Sequence, residues 1–115
     1  MSEPDLCVVM PAYNEERTIV ESVGRVLAQP FVREVVAVDD GSVDRTLELL
    51  RSIDDPRVRV LAHGVNRGKG AALRTGFAAA GSPFVAIQDA DLEYDPADLE
   101  RLLVPLRDGR ADVVY

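Results

Sequence analysis

Five short runs of β-branched and apolar residues, each followed or separated by a segment with helical spacing, constrain this chain more than any other feature. The runs are Leu6 to Met10, Glu34 to Val38, Val58 to Leu61, Phe84 to Ile87 and Asp112 to Tyr115. They are mostly continuous and not alternating in polarity, the mark of strands covered on both faces and hence of a parallel sheet. Between them Ile19, Val20, Val23, Val26 and Leu27 form one helical stripe, and Leu47, Leu50 and Ile53 a second. Leu73, Phe77 and Ala80 form a third, and Leu99, Leu102, Leu103 and Leu106 a fourth. Ser42 stands before the second helix as a cap, Asp95 and Pro96 open the fourth, and Gly81 suits the end of the third. This βαβαβαβαβ order predicts an α/β fold: a Rossmann-like, doubly wound and mostly parallel sheet with helices on both faces.

A chain of 115 residues, 47% of them apolar, suits one globular domain. No apolar run approaches the roughly 20 residues that span a bilayer, and the first residues lack the basic and apolar segments of a signal peptide. The sequence therefore reads as cytoplasmic. Cys7 is the single cysteine, so no internal disulfide can form, and its apolar setting predicts a buried thiol. The net charge of −7 speaks against a nucleic-acid partner, which would require a basic face. The last run stops at Tyr115 without a covering helix. The domain, residues 1–115, is accordingly expected to be incomplete at its C-terminus, with exposed strand edges that favour self-association.

Ligands of open α/β sheets bind at the carboxyl ends of the strands, and the unusual residues of this chain collect there. Asp89-Ala90-Asp91 follows the fourth run. Side chains at i and i+2 of an extended segment share a face, so Asp89 and Asp91 can converge on one hard cation, Mg2+ or Mn2+, that keeps sites open for substrate phosphates. The same tripeptide also occurs in ordinary solvated turns. Asp39-Asp40-Gly41-Ser42 makes a turn and cap, yet two carboxylates at the end of a buried strand are costly unless one accepts hydrogen bonds from a ligand such as a base or ribose. Pro11 to Glu15, alone, would do no more than end a strand and cap a helix. Gly68-Lys69-Gly70 lacks the spacing of a P-loop, which excludes ATP hydrolysis by that route. It either brings Lys69 to a diphosphate at a helix N-terminus or simply opens a helix that packs closely on the sheet. His63, a lone histidine, is expected in solvent on a loop.

Taken in order, Pro11-Ala-Tyr-Asn-Glu15, Val38-Asp-Asp-Gly-Ser42 with Asp44 and Thr46, Asn66-x-Gly-Lys-Gly-Ala-Ala72 and Asp89-Ala-Asp-Leu-Glu93 resemble the inverting glycosyltransferases of GT-A fold (family 2 type). The likeness is greatest to the polyprenyl-phosphate branch typified by dolichyl-phosphate mannose synthase. It implies a nucleoside diphosphate sugar donor, GDP-mannose or UDP-glucose, with base and ribose against Pro11, Ala12, Tyr13 and Val38, and with Glu15 and Asp40 as nucleotide contacts. It also implies Lys69, Asp89 and Ala90 at the donor diphosphate, catalytic roles for Asp89 and Asp91, and Glu93 as a third metal ligand beside them. The acceptor implied is a polyprenyl or dolichyl phosphate, which would bring a longer protein to the cytoplasmic membrane face. In the family a later strand inserts beside the fourth, so Phe84 to Ile87 is expected to lack a neighbour. Two other readings stay open: a nucleotide-binding fragment without catalysis, and a nucleotidyltransferase.

Overall fold

The computed structural model describes residues 6–82 and 84–90 and, beyond them, the strand Val113–Val114. The strands are β1 (Leu6–Ala12), β2 (Val32–Asp39), β3 (Val58–Ala62), β4 (Phe84–Ile87) and β5 (Val113–Val114). The helices are α1 (Ile19–Leu27), α2 (Thr46–Arg51) and α3 (Lys69–Ala79). All strand pairs are parallel and the order is β3-β2-β1-β4-β5. The chain thus winds outward from β1 through β2 to β3, then returns to the other side of β1. That reversal makes a switch point between β1 and β4, where loops diverge and leave room for a ligand.

Period-two alternation divides the core into two layers. On one face Leu6, Val8 and Met10 of β1 and Val35 and Ala37 of β2 pack with Ile19, Val23 and Val26 of α1 and Leu50 of α2. On the other, Cys7, Val9, Val36 and Val38 meet α3 through Ala72, Leu73 and Phe77. Gly76 makes the second layer thin: a Cβ there would come within 2.4 Å of Val9 Cγ1. Burial, with Glu34 nearby, pushes the Cys7 thiol up, in keeping with a core thiol.

Several local expectations change. β1 and β2 both run further than the apolar runs alone indicate, because Pro11, Ala12 and Asp39 stay in register across the pair. Val20 is 47% exposed, and the buried face of α1 takes Ser22 in its place. Ser42 does not cap α2, since its hydroxyl accepts the N–H of Asn14 from the loop after β1. The first turn of α2 is held by Asp44, which accepts the N–H of Thr46 at 2.9 Å. Gly81 is not a left-handed cap; α3 ends at Ala79 and the Gly81 N–H donates to Glu34 at 2.6 Å. Phe84–Ile87 has neighbours on both sides, β1 and β5, with Val85 paired to Val113 and Ala86 to Val114. The fourth helical stripe, with Asp95 and Pro96, lies outside the described residues. Among the described residues no helix is long and apolar enough to cross a membrane.

Candidate functional site

Three loops at the carboxyl end of the sheet are laced together by side chains that replace missing backbone partners. Asn14, at φ +52°, sits in the left-handed region that asparagine tolerates. Its N–H donates to Ser42 Oγ and its Oδ1 accepts the N–H of Val43, both at 2.9 Å. The Glu15 N–H donates to Thr46 Oγ1 at 2.8 Å, and the Glu16 N–H to Asp44 at 3.3 Å. Burial acts to raise the Asp44 carboxyl, but the hydroxyl and N–H of Thr46 and the N–H of Glu16 outweigh it and hold the group below the ordinary range. Gly41, at φ +74°, closes the second loop on the third so tightly that a Cβ would lie 2.3 Å from the Asn66 nitrogen. Only glycine fits both the angle and the gap.

Asp40 is the hub of this region, with 3% of its surface exposed. Its Oδ1 accepts from His63 Nδ1 at 2.8 Å and the Arg67 N–H at 2.9 Å; its Oδ2 accepts from the Gly68 N–H at 2.8 Å and Asn66 Nδ2 at 3.1 Å. Four donors fill the lone-pair sites of a carboxylate. Burial alone would raise the Asp40 carboxyl; His63, Arg67 and Gly68 outweigh it, and the group is held below its usual value. The hydrogen bonds that compensate this buried charge therefore come from the protein itself. His63 is correspondingly not a solvent-facing residue. It is buried between Asp40 and Thr75, whose Oγ1 lies 2.8 Å from Nε2. With Nδ1–H donating to the carboxylate, the neutral ring accepts the threonine hydroxyl, so one tautomer satisfies both partners. The adjacent Asp39 accepts the Ser42 N–H at 3.2 Å through Oδ2, while its Oδ1 is buried without a partner among the described residues.

The laced loops form one wall of a cavity of about 400 Å³. Pro11, Ala12, Tyr13 and Glu15 contribute from β1 and its loop, Asp40 from the second loop, and Asn66, Gly68, Lys69 and Ala72 from the third loop and α3. Asp89 and Ala90 close the far side. Val38 is fully buried in the layer against α3 and does not line the cavity. Asp91 and Glu93 lie outside the described residues. Lys69 Nζ donates to Asp89 Oδ1 at 2.7 Å, with the two side chains 58% and 33% exposed. An ion pair this exposed is weak and exchangeable. Among the described residues no three acidic, histidine or cysteine side chains form a ligand set. Asp89 nonetheless fits a divalent cation: a hard oxygen donor in an open cavity, held by a lysine that a cation and an anionic ligand could release. Mg2+ and Mn2+ commonly take one or two carboxylates and fill the remaining positions with phosphate and water. His63, Thr18 and Ser22 are polar residues about the site that the sequence motifs did not single out for it, since their roles depend on distant partners. Their only sequence signal is a hydroxyl or imidazole within or beside an apolar stripe.

Residues 7–115 match the family described as Glycosyl transferase family 2. The chain is 44% identical over 101 residues to the succinoglycan biosynthesis protein ExoO of Rhizobium meliloti, covering 87% of this chain and 29% of that protein. It is 37% identical over 108 residues to an undecaprenyl-phosphate 4-deoxy-4-formamido-L-arabinose transferase of Pectobacterium carotovorum, covering 86% and 32% respectively. Among solved structures, the mannosyltransferase PcManGT of Pyrobaculum calidifontis, in complex with GDP-Man and Mn2+, superposes with a TM-score of 0.70 at 33% identity, covering 77% of this chain and 28% of that one. The chain thus spans about a third of the length of the curated relatives named here.

Proposed function

Because this chain belongs to glycosyl transferase family 2, we propose that its cavity holds the nucleoside diphosphate of a hexose donor, GDP-mannose or UDP-glucose, for transfer to a polyprenyl phosphate. The observation that carries this is the meeting of Tyr13, Asp40, Lys69 and Asp89, from four separate segments, around one cavity at the switch point of the sheet. The wall of Pro11, Ala12 and Tyr13 offers an apolar surface and an aromatic ring, 45% exposed, against which a base can lie. Asp40 keeps the Asn66 to Gly68 segment in place as part of the same lining. Lys69 and the positive end of α3 favour a diphosphate beside Asp89. The relative that acts on undecaprenyl phosphate supports the acceptor class, and the structure with GDP-Man and Mn2+ supports the donor class and the metal.

Mg2+ or Mn2+, held by Asp89 with Asp91 and Glu93, would neutralise charge building on the departing diphosphate. In the transfer itself the anomeric carbon–oxygen bond to the diphosphate breaks as the acceptor oxygen bonds to the opposite face of that carbon, inverting it. The leaving nucleoside diphosphate takes the electron pair. A phosphate acceptor is already anionic, so the step needs no strong general base.

The test is calorimetric titration with GDP-mannose and UDP-glucose, with and without Mn2+, followed by incubation of labelled donor with polyprenyl phosphate. Metal-dependent binding of one donor and release of the matching nucleoside diphosphate are expected. No binding of either donor would overturn the assignment, and pyrophosphate release from a nucleoside triphosphate and a sugar phosphate would replace it with nucleotidyl transfer.

A further inference from the structure

We propose that Thr18 and Ser22 are positioning residues for the turn that presents Asp89, an inference that rests on the donor-site assignment above. Serine and threonine hydroxyls on a helix usually bond back to the carbonyl one turn earlier. These two reach away from their helix. Thr18 Oγ1 and Ser22 Oγ both donate to the carbonyl oxygen of Ala90, each at 2.7 Å, across 72 and 68 residues of sequence. Four residues apart, they lie on one face of α1 and its entry turn. A carbonyl oxygen has two lone pairs, and here both are taken. The longer 3.3 Å contact from Thr18 Oγ1 to Glu15 is secondary, since the hydroxyl has one proton to give.

The location gives these bonds their meaning. The β1–β4 ladder continues one residue past β4, with the Gln88 N–H donating to the Val9 carbonyl at 3.1 Å. From there the chain leaves the sheet, and two residues on it is fastened to α1. Asp89 is the residue between the two attachments. Its backbone is held on both sides, so only its own side-chain torsions remain to be fixed when the carboxylate meets a ligand. Ala90 is 2% exposed and Ser22 3% exposed, so the Ser22 hydrogen bond is shielded from bulk water, while that of Thr18 is part-buried at the edge of the same contact. A buried serine in an apolar helix face carries a desolvation cost that no packing need explains; the Ala90 carbonyl supplies the compensation. Metal sites demand ligand placement to within about 0.5 Å, and partners behind the ligands hold them there.

The experiment compares Thr18→Val, which keeps the shape and deletes the hydroxyl, with Thr18→Ser, which keeps the hydroxyl, alongside Ser22→Ala and the Thr18→Val/Ser22→Ala pair. Free Mn2+ is followed by its electron paramagnetic resonance signal in the presence of GDP or UDP, whichever the unaltered chain binds more tightly. Binding of the matching nucleoside monophosphate without metal is measured by calorimetry. The paired variant should lose about tenfold or more in Mn2+ affinity, as removal of such supporting partners does elsewhere, with metal-free monophosphate binding unchanged. Thr18→Ser should bind Mn2+ as the unaltered chain does. Should Ser22→Ala fail to fold, Thr18→Val against Thr18→Ser decides alone. Equal Mn2+ affinity in all variants, or an equal loss in Thr18→Ser and Thr18→Val, overturns the positioning role while leaving the donor site standing. An unaltered chain that gains nothing from Mn2+ overturns both.

Discussion

Asp40 and Asp89 both follow parallel strands and both line the same cavity, yet the protein treats them in opposite ways. Asp40 is buried and saturated by four donors from its own chain. Asp89 is partly exposed and, among the described residues, its side chain has one partner, an exchangeable lysine. The difference separates a carboxylate that builds a site from one that can serve a ligand. A charge whose lone pairs are filled organises loops; a charge held by one weak ion pair can trade that partner for a cation.

The largest expected effect lies on the Asp40 side. Asp40→Ala leaves the His63 ring, the Asn66 amide and two backbone N–H groups without their acceptor, and should cost about 3–5 kcal/mol of stability, as breaking buried charged networks does. Chemical denaturation measures it; a loss below about 1 kcal/mol would mean the loops stand without their hub. Gly41→Ala meets both a positive φ and the Asn66 backbone, and should cost about 2 kcal/mol or more. Wild-type unfolding for that variant would show that the two loops separate freely.

Acid should expose the same contrast more gently. Asp40 and Asp44 are held below the ordinary carboxylate value, so their stabilisation is fully present above about pH 4 and is lost as pH falls through their lowered folded-state values. Stability measured from pH 6 downward should decline over that window, and the decline should be shallower in Asp40→Ala. An unchanged slope would place the acid-labile groups elsewhere. The smallest effect belongs to Lys69→Met. Stability should move by less than about 1 kcal/mol, because the ion pair is exposed, while nucleoside diphosphate affinity falls severalfold. A stability loss as large as that of Asp40→Ala would erase the distinction between the two carboxylates.

How far the molecule could be read from its residues follows the same division. The strands were legible because continuous runs such as Leu6 to Met10 and Val35 to Val38 carry their own signal, and parallel pairing needs little more. The crevice followed from the rule that loops at strand carboxyl ends hold ligands. What escaped was set by partners far away in sequence. His63 is buried because Asp40 and Thr75 enclose it, 23 and 12 residues away. Ser42 serves Asn14 across 28 residues and not the helix beside it. Ser22 takes a buried helical position that periodicity would assign to a valine, because its hydroxyl has a carbonyl to meet 68 residues on. Local pattern predicts apolar faces well; it carries no information about which polar group will find a partner inside.

The distinction between the two carboxylates is tested most directly by titrating the nucleoside diphosphate into the unaltered chain and into Asp89→Asn, with and without Mn2+, alongside thermal unfolding of each. Asp89→Asn should unfold within a few degrees of the unaltered chain, yet lose at least about tenfold in Mn2+-supported affinity, since loss of a hard-ion ligand is worth upwards of roughly 1.4 kcal/mol. The same Mn2+ enhancement in both proteins would contradict the assignment of Asp89 as the carboxylate that serves the ligand.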